Sequence, residues 1–465
     1  MIVLVFTRKL SFCCACAFVA LTVGGVSSLN AESPVTVSTQ QTAESGDESW
    51  SRFHGPNGIG KSSHGELPES WTAAEYTWTA PLNGTDVGSP AVTGTQVFVL
   101  DSSGRSTTPR ASGAIDLVAF DLESGKEQWR RSHPVADTKR HTRNSPASTT
   151  PAVAGDRVYI AYGDADGAYL YAYSLKGVPL WQRQLGPWSG VHGFGTSPMV
   201  VGSQVILFNS QQSDELAPWQ VKGASRMMAF DAATGEDLWN TPLRTTRPCY
   251  GVPAVYQPTN ETPQASNDVP LQLVAANKGN GMFGLDANTG EMLWSLDVFN
   301  KRCCASPLLV GDIAIASCGS GGGGNVLSAV RIPKHPGESP KELFRVTSAA
   351  PYVPSSVAKD GLLFTVSDSG IASCFDLNDQ GRKRWSQRLG GNFGASPIIV
   401  GEQLLFISLD GTAHVTRASG TKERISSFEL GGRVGATPAV SSSYLVLRVG
   451  EKLHCLRITG RGSQG

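Results

Sequence analysis

Three arginines stand at matched offsets in this 465-residue chain: Arg247, Arg302 and Arg433 each precede a recurring proline step by five or six residues. Guanidinium groups pair well with carboxylates, so arginines repeated at one offset, with Arg143, His141 and His192 near them, could form an anion-binding collar. The plainer alternative is ordinary arginines that are solvated or ion-paired between neighbouring units. A second group is the cysteines. Beyond residue 31 six remain: Cys249, Cys303, Cys304, Cys318, Cys374 and Cys455. Cys303 and Cys304 are adjacent, and in an oxidising compartment Cys249 could bridge to one of them. A zinc site built from Cys249, Cys303, Cys304 and Cys318 lacks the C-x-x-C spacing that would support it. A third group, Asp214, Glu215 and Trp219, shares one loop, and a polar surface loop explains it equally well.

Several chemistries are excluded by what is missing. There is no G-x-S-x-G for a hydrolase and no C-x-x-C-H for covalent haem, and the glycines at 319 and 321–324 have neither the lysine nor the following helix of a phosphate-binding loop. Lys plus Arg equals Asp plus Glu at 39 each, which argues against a nucleic-acid partner.

The elements that must position these residues begin with an export signal. Arg8 and Lys9 precede an apolar run from Leu10 to Val26 and then small residues, so residues 1–31 read as a signal peptide cleaved after Ser28 or Ala31. The alternative is an uncleaved membrane anchor, since the run approaches spanning length. Lipidation fits less well, because bulky Phe12 precedes Cys13, although Ala15 precedes Cys16. Residues 32–49 are small and polar and read as a disordered linker. From Trp50 onward 52 glycines and 27 prolines in the whole chain, with only 17% charged residues, suit many short strands joined by turns.

Two phrases recur. A Ser-Pro or Thr-Pro step centres on Pro90, Pro151, Pro198, Pro253, Pro307, Pro354, Pro397 and Pro438, a mean period of about 50 residues that indicates a propeller or related array. Each unit then supplies strands A to D, with C and D joined by hairpins such as "DLESG" and "DAATG", where Asp bonds the backbone and Gly takes positive φ. The second phrase is Ala-x-Asp-x-x-x-Gly-x-x-x-Trp, at Ala119, Asp121, Gly125 and Trp129 and again at Ala229, Asp231, Gly235 and Trp239.

This second phrase resembles the tryptophan-docking motif of pyrroloquinoline-quinone-like (PQQ-like) β-propellers, and the resemblance covers nearly the whole chain after Trp50. The lead-in "WSRFHGPNGIG…LPESW" is similar to the start of secreted bacterial proteins that carry this propeller. The resemblance implies an all-β, eight-bladed propeller over residues 50–460, with Trp78, Trp129, Trp181, Trp239, Trp294 and Trp385 wedged between four-stranded antiparallel blades. Unit eight lacks its outer strand, which "YTWTAPL" (Tyr76 to Leu82) supplies from the N-terminal side to close the ring. Departures are expected where Ser174 and Arg417 replace the Asp and where Phe344 and Arg424 replace the Trp. Cys374 and Cys455 take the small-residue slot of strand C.

Strand alternation puts the B–C and D–A loops on one face, which collects four long insertions while two others fall on the opposite face, and the first is the candidate binding face. Arg143, His192, Trp219, Arg247, Arg302 and Arg433 map there, as do Cys249, Cys303, Cys304 and Cys318. An adjacent-cysteine disulfide is similar to one in quinoprotein alcohol dehydrogenases, although Cys303 and Cys304 lie closer to strand A than that family implies. Such an enzyme also needs calcium, a carboxylate base and a stacking aromatic, and none of these is matched residue by residue. The expectation is therefore an exported, monomeric, non-catalytic scaffold that binds envelope proteins or a small anion without a cofactor. In this it is similar to the outer-membrane protein-assembly propeller. The alternative is a PQQ- and calcium-dependent oxidoreductase of alcohols or sugars.

Overall fold

Short β-branched and aromatic runs separated by glycine turns build eight sheets, each read from the axis outward as strands A to D. The structure is a computed structural model that describes residues 49–458 apart from 104–112, 137–138, 217, 219, 259–269, 336 and 442. The expected signal segment and nearly all of the linker lie outside the described residues. Blade one comprises Ala91–Thr93, Gln96–Ser103, Gly113–Asp121 and Glu127–Val135, and the pattern repeats around the ring. Among the described residues there is no α-helix, only three short 3-10 turns.

The ring closes where the sequence places the closure. Tyr76–Pro81 pairs antiparallel with Lys452–Arg457, the third strand of blade eight, with Trp78 opposite Cys455. Blade eight is thereby a full four-stranded sheet, and the outer edge of Lys452–Arg457 is paired.

The docking phrase is mechanical. Trp78, Trp129, Trp181, Trp239 and Trp385 each donate an indole N–H to a backbone carbonyl of the next blade, at Leu122, Leu175, Ala232, Ala287 and Ser419, over 2.7–3.2 Å. Four of these rings lie on the hairpin glycine beyond: Trp78 on Gly125, Trp129 on Gly177, Trp181 on Gly235 and Trp239 on Gly290. Gly235 sits at φ +74° and an added Cβ would come within 2.6 Å of the Trp181 ring, so the phrase needs glycine twice over. Trp294 differs: its N–H bonds Gln272 Oε1 of its own blade at 2.7 Å, and Gln272 Nε2 carries the contact to Pro333 O in blade five. Phe344 takes the Trp place in blade five and covers Gly381.

Two expected positions are corrected. In blade seven the residue facing the small strand-C position is Ser426, opposite Val415, not Arg424. Strand D there is only Ser426–Glu429, with no register shift beside it, and the seam is filled from elsewhere. Trp71, 3% exposed, packs edge-on against Phe428 at 4.5 Å, and the Leu67 backbone exchanges two hydrogen bonds with Gln403. In blade six the slot just before strand A holds Ser356, because Val357–Lys359 begins there; Pro354 lies two residues earlier.

That slot explains the proline step. Pro stands where the innermost strand begins and no N–H is required. The Ser or Thr before it ties neighbouring blades: the backbone N–H groups of Thr150, Val252, Ser306, Ser355, Ser396 and Thr437 donate to the hydroxyls of Ser197, Ser306, Ser355, Ser396, Thr437 and Ser89 at 2.9–3.0 Å. Six of the eight seams carry this bond. Val252, which has no hydroxyl, interrupts the sequence at blade four.

Inside the ring lies the N-terminal lead-in. Trp50 bridges antiparallel to Val92 of blade one, and Lys61–Ser62 pairs parallel with Ile398–Val400 of blade seven. Between them Arg52 Nη2 donates to Pro253 O, Asn57 bonds both ways with Val255, and His54 Nε2 lies 2.9 Å from Pro397 O. Both legs run along strands A, so the segment enters and leaves on the face of the A–B hairpins and presents Phe53 toward the loop face.

A buried clasp holds blade eight to blade one. Arg448, 1% exposed at its side chain, bonds Asp86 and Asp101 at 3.0 Å and the carbonyls of Leu100 and Gly84 at 2.6 and 2.9 Å. Arg130 adds a second guanidinium against Asp116 at 2.8 Å and Asp101 at 3.4 Å.

Candidate functional site

The D–A loops converge on the axis at the loop face and enclose a cavity of about 420 Å³. Its floor is Phe53, its wall includes the hub hydroxyls of Ser89, Thr150, Ser197, Ser396 and Thr437, and its polar side chains include Arg143, His141, His192 and Arg302. Tyr250, Tyr352 and Cys304 also face it. Among the described residues no carboxylate lines it.

Rigid loops hold these groups. Asn144 Nδ2 donates to the carbonyls of His192 and Phe194, and Tyr250 OH donates to Gly193 O at 3.1 Å, tying three consecutive loops together. Arg302 Nη2 lies 3.2 Å from His192 Nε2, and the His141 and His192 rings stack with centroids 5.5 Å apart. Burial, then the positive charge of Arg302 and the neighbouring His141, holds the His192 pKa down to about 4. Its imidazole is therefore neutral near neutrality, with Nε2 accepting from the guanidinium and the proton on Nδ1. Arg143 Nη1 lies 3.4 Å from Asp368, which also accepts the backbone N–H groups of Tyr352 and Val353.

The expected collar divides. Arg302, Arg143 and His192 reach the cavity. Arg247 does not line it: it pairs with Glu215 and approaches Asp214 at 3.6 Å, so those two carboxylates are engaged with a basic side chain. Arg433 is exposed and does not line it either. Equal offsets from the proline fail to aim side chains alike because the D–A loops differ in length and path. Trp219 lies outside the described residues.

The six cysteines among the described residues are free thiols. Cys303 N–H donates to Cys249 Sγ at 3.3 Å, and Cys304 lines the cavity. Burial raises the Cys249 pKa, but hydrogen bonds from the Cys303 thiol, the Cys303 and Lys278 backbone and Thr245 hold it down to about 7. Burial pushes Cys304 up to about 12. Among the described residues no three His, Cys, Asp or Glu side chains are grouped to hold a metal ion, Cys318 included. The hydroxyl ring, Phe53 and the Arg448 clasp were missed by sequence reasoning. An arginine inside the apolar run "YLVLRVG" was the one signal for the clasp.

A sequence profile described as outer membrane protein assembly factor BamB matches residues 111–252 and again 221–332, two overlapping registers of the same repeat. The chain is a PQQ-like β-propeller. Quinohemoprotein alcohol dehydrogenase ADH IIB of Pseudomonas putida is 32% identical over 124 residues, which are 26% of this PQQ-like propeller and only 17% of that protein. A europium-containing methanol dehydrogenase has the same fold, with a TM-score of 0.58 at 11% identity over 88% of this chain and 98% of that one. BamB from Moraxella catarrhalis gives 0.54 at 13% identity over 82% and 99%. At such identities the likeness is one of fold.

A quinone cofactor paired with a hard cation such as calcium would need oxygen ligands for the ion and a carboxylate base beside it. Among the described residues the cavity of this PQQ-like propeller does not fit that group: its polar lining is arginine, histidine, hydroxyl, amide and thiol, with no carboxylate.

Proposed function

We propose that this chain is an exported, non-catalytic propeller that serves as a binding scaffold, with its loop face as the recognition surface. The observation that carries the reading is the central cavity, basic and hydroxyl-lined, with no carboxylate among the described residues to abstract a proton or hold a cation. Export rests on Arg8, Lys9 and the apolar run that follows. Envelope proteins are the expected partners, in keeping with the match to an outer-membrane assembly factor profile.

A second reading, a PQQ- and calcium-dependent oxidoreductase of alcohols or sugars, draws on the local identity to a quinohemoprotein alcohol dehydrogenase. Purified chain mixed with PQQ and calcium separates the two. No calcium-dependent, stoichiometric uptake and no dye-linked alcohol oxidation is expected. Observing both overturns the scaffold. Co-purification from the envelope should recover a partner through the loop face, and its loss in an Arg143→Glu, Arg302→Glu variant tests that surface.

A further inference from the structure

The hydrogen-bond bookkeeping of the cavity wall is one-sided. Ser89, Ser197, Ser396 and Thr437 each use a hydroxyl oxygen to accept the preceding blade's backbone N–H, and all four line the cavity. A hydroxyl holds one proton and two lone pairs, so an oxygen that accepts from the wall still has its O–H to give. Among the described residues no acceptor for these four protons is found in the wall. Above them Arg302 has no carboxylate partner among the described residues; the Nη2 contact to His192 is its one side-chain hydrogen bond. His192 Nδ1 is buried and unpartnered. With Nε2 accepting from Arg302, Nδ1 is an N–H with nothing to receive it.

Among the described residues these unsatisfied groups offer protons, the hydroxyls keeping a spare lone pair as well, and Arg302 carries a positive charge with no carboxylate beside it in a part-buried site. Burying such groups without acceptors is costly, and an acceptor-rich anion relieves those that face the cavity, Arg302 first among them. Phe53, Val87, Val252 and Leu409 supply an apolar counterpart for a carbon skeleton. A planar carboxylate matches the guanidinium fork, and the dispersed hydroxyls suit a second set of oxygens farther along the ligand.

We infer that the central cavity binds a small organic carboxylate, held at one end by Arg302, whose guanidinium His192 positions, and by the hub hydroxyls of Ser89, Ser197, Ser396 and Thr437 below. Arg143 screens the mouth from its position against Asp368. This deepens the binding-scaffold reading and rests on it, but the two fail separately. Calcium-dependent PQQ oxidation removes the scaffold, whereas a scaffold that captures envelope partners yet ignores carboxylates removes only the ligand.

The test is calorimetric titration of the full chain with succinate, citrate and benzoate, beside neutral succinamide and inorganic phosphate. At least one carboxylate should bind with one site per chain, and succinamide should not. Arg302→Gln should weaken binding at least tenfold, Arg302→Lys should recover part of it, and Arg433→Gln should leave it unchanged. Melting temperatures of the variants show whether each still folds, and a variant that does not is replaced by His192→Phe, for which the same loss is expected. Silence from all three carboxylates overturns the proposal. So does phosphate binding tighter than any carboxylate, or binding indifferent to both Arg302 and His192.

Discussion

The indole N–H of Trp78 donates to Leu122 O at 2.7 Å, and this single bond joins the strand that completes blade eight to the hairpin of blade one. Trp78 therefore serves two interfaces, the strand pair with Cys455 and the blade-to-blade seam. Trp78→Ala should lower stability by about 3–5 kcal/mol, in the range for removing a large buried aromatic. Leu180→Ala, an exposed position at 42%, should cost well under 1 kcal/mol. Denaturant unfolding of the two variants checks the difference.

Gly235→Ala should cost more than a left-handed backbone alone explains. Gly202 and Gly235 both have positive φ, +57° and +74°, but a Cβ at Gly202 meets nothing within 4 Å while one at Gly235 meets Trp181. The Gly202→Ala loss should be ~1–2 kcal/mol, set by the backbone. Gly235→Ala should exceed it, and Trp181 fluorescence should change only in that variant.

Arg448→Met should leave Asp86 as a buried carboxylate without a guanidinium and Asp101 with only the 3.4 Å contact to Arg130. The expected loss is about 3–5 kcal/mol. Arg331→Met provides a contrast: its 3.1 Å pair with Asp312 is 48% exposed on the arginine side, and exposed pairs contribute little. Thermal unfolding of both variants at one pH is the measurement.

Stability should fall as pH drops from about 6.5 to about 4. Burial holds His54, His133, His192 and His454 near pKa 4, below the ordinary 6.5 that they regain on unfolding. In that window the unfolded chain binds more protons than the fold, so acid favours unfolding, and the contribution is fully present above pH 6.5. For His133, packed among Tyr162, Tyr171 and Tyr173, the full effect is on the order of 3 kcal/mol. Unfolding curves at pH 7 and pH 5 should converge in His133→Phe relative to the parent chain.

The blade count, the ring closure and the docking tryptophans were legible because each is a local pattern repeated in register: a period near 50, an alternating strand, a hairpin with Asp and Gly. Blade seven was misread at Arg424 because its seam is completed by Trp71, more than 340 positions away in sequence, and no local phrase encodes that. Pro354 was misassigned for a related reason: the slot is defined by where strand A starts, and Ser356 fills it. At the candidate site, sequence reasoning found Arg143, His192 and Arg302 but placed Arg247 and Arg433 with them, since an offset along the chain does not specify a loop's path. The hydroxyl ring was in plain view as Ser-Pro and Thr-Pro, yet its role depends on the neighbouring blade, which only closure of the ring supplies.

The hairpin from Trp50 to Ser62 turns what would be a tunnel into a cup. Whatever enters between the loops meets Phe53 at the floor of the cavity, so occupancy is set first by the rim it crosses. Residence time, then, should respond to changes in the loops around His141, Tyr250 and Tyr352 and be indifferent to the hairpins on the reverse side.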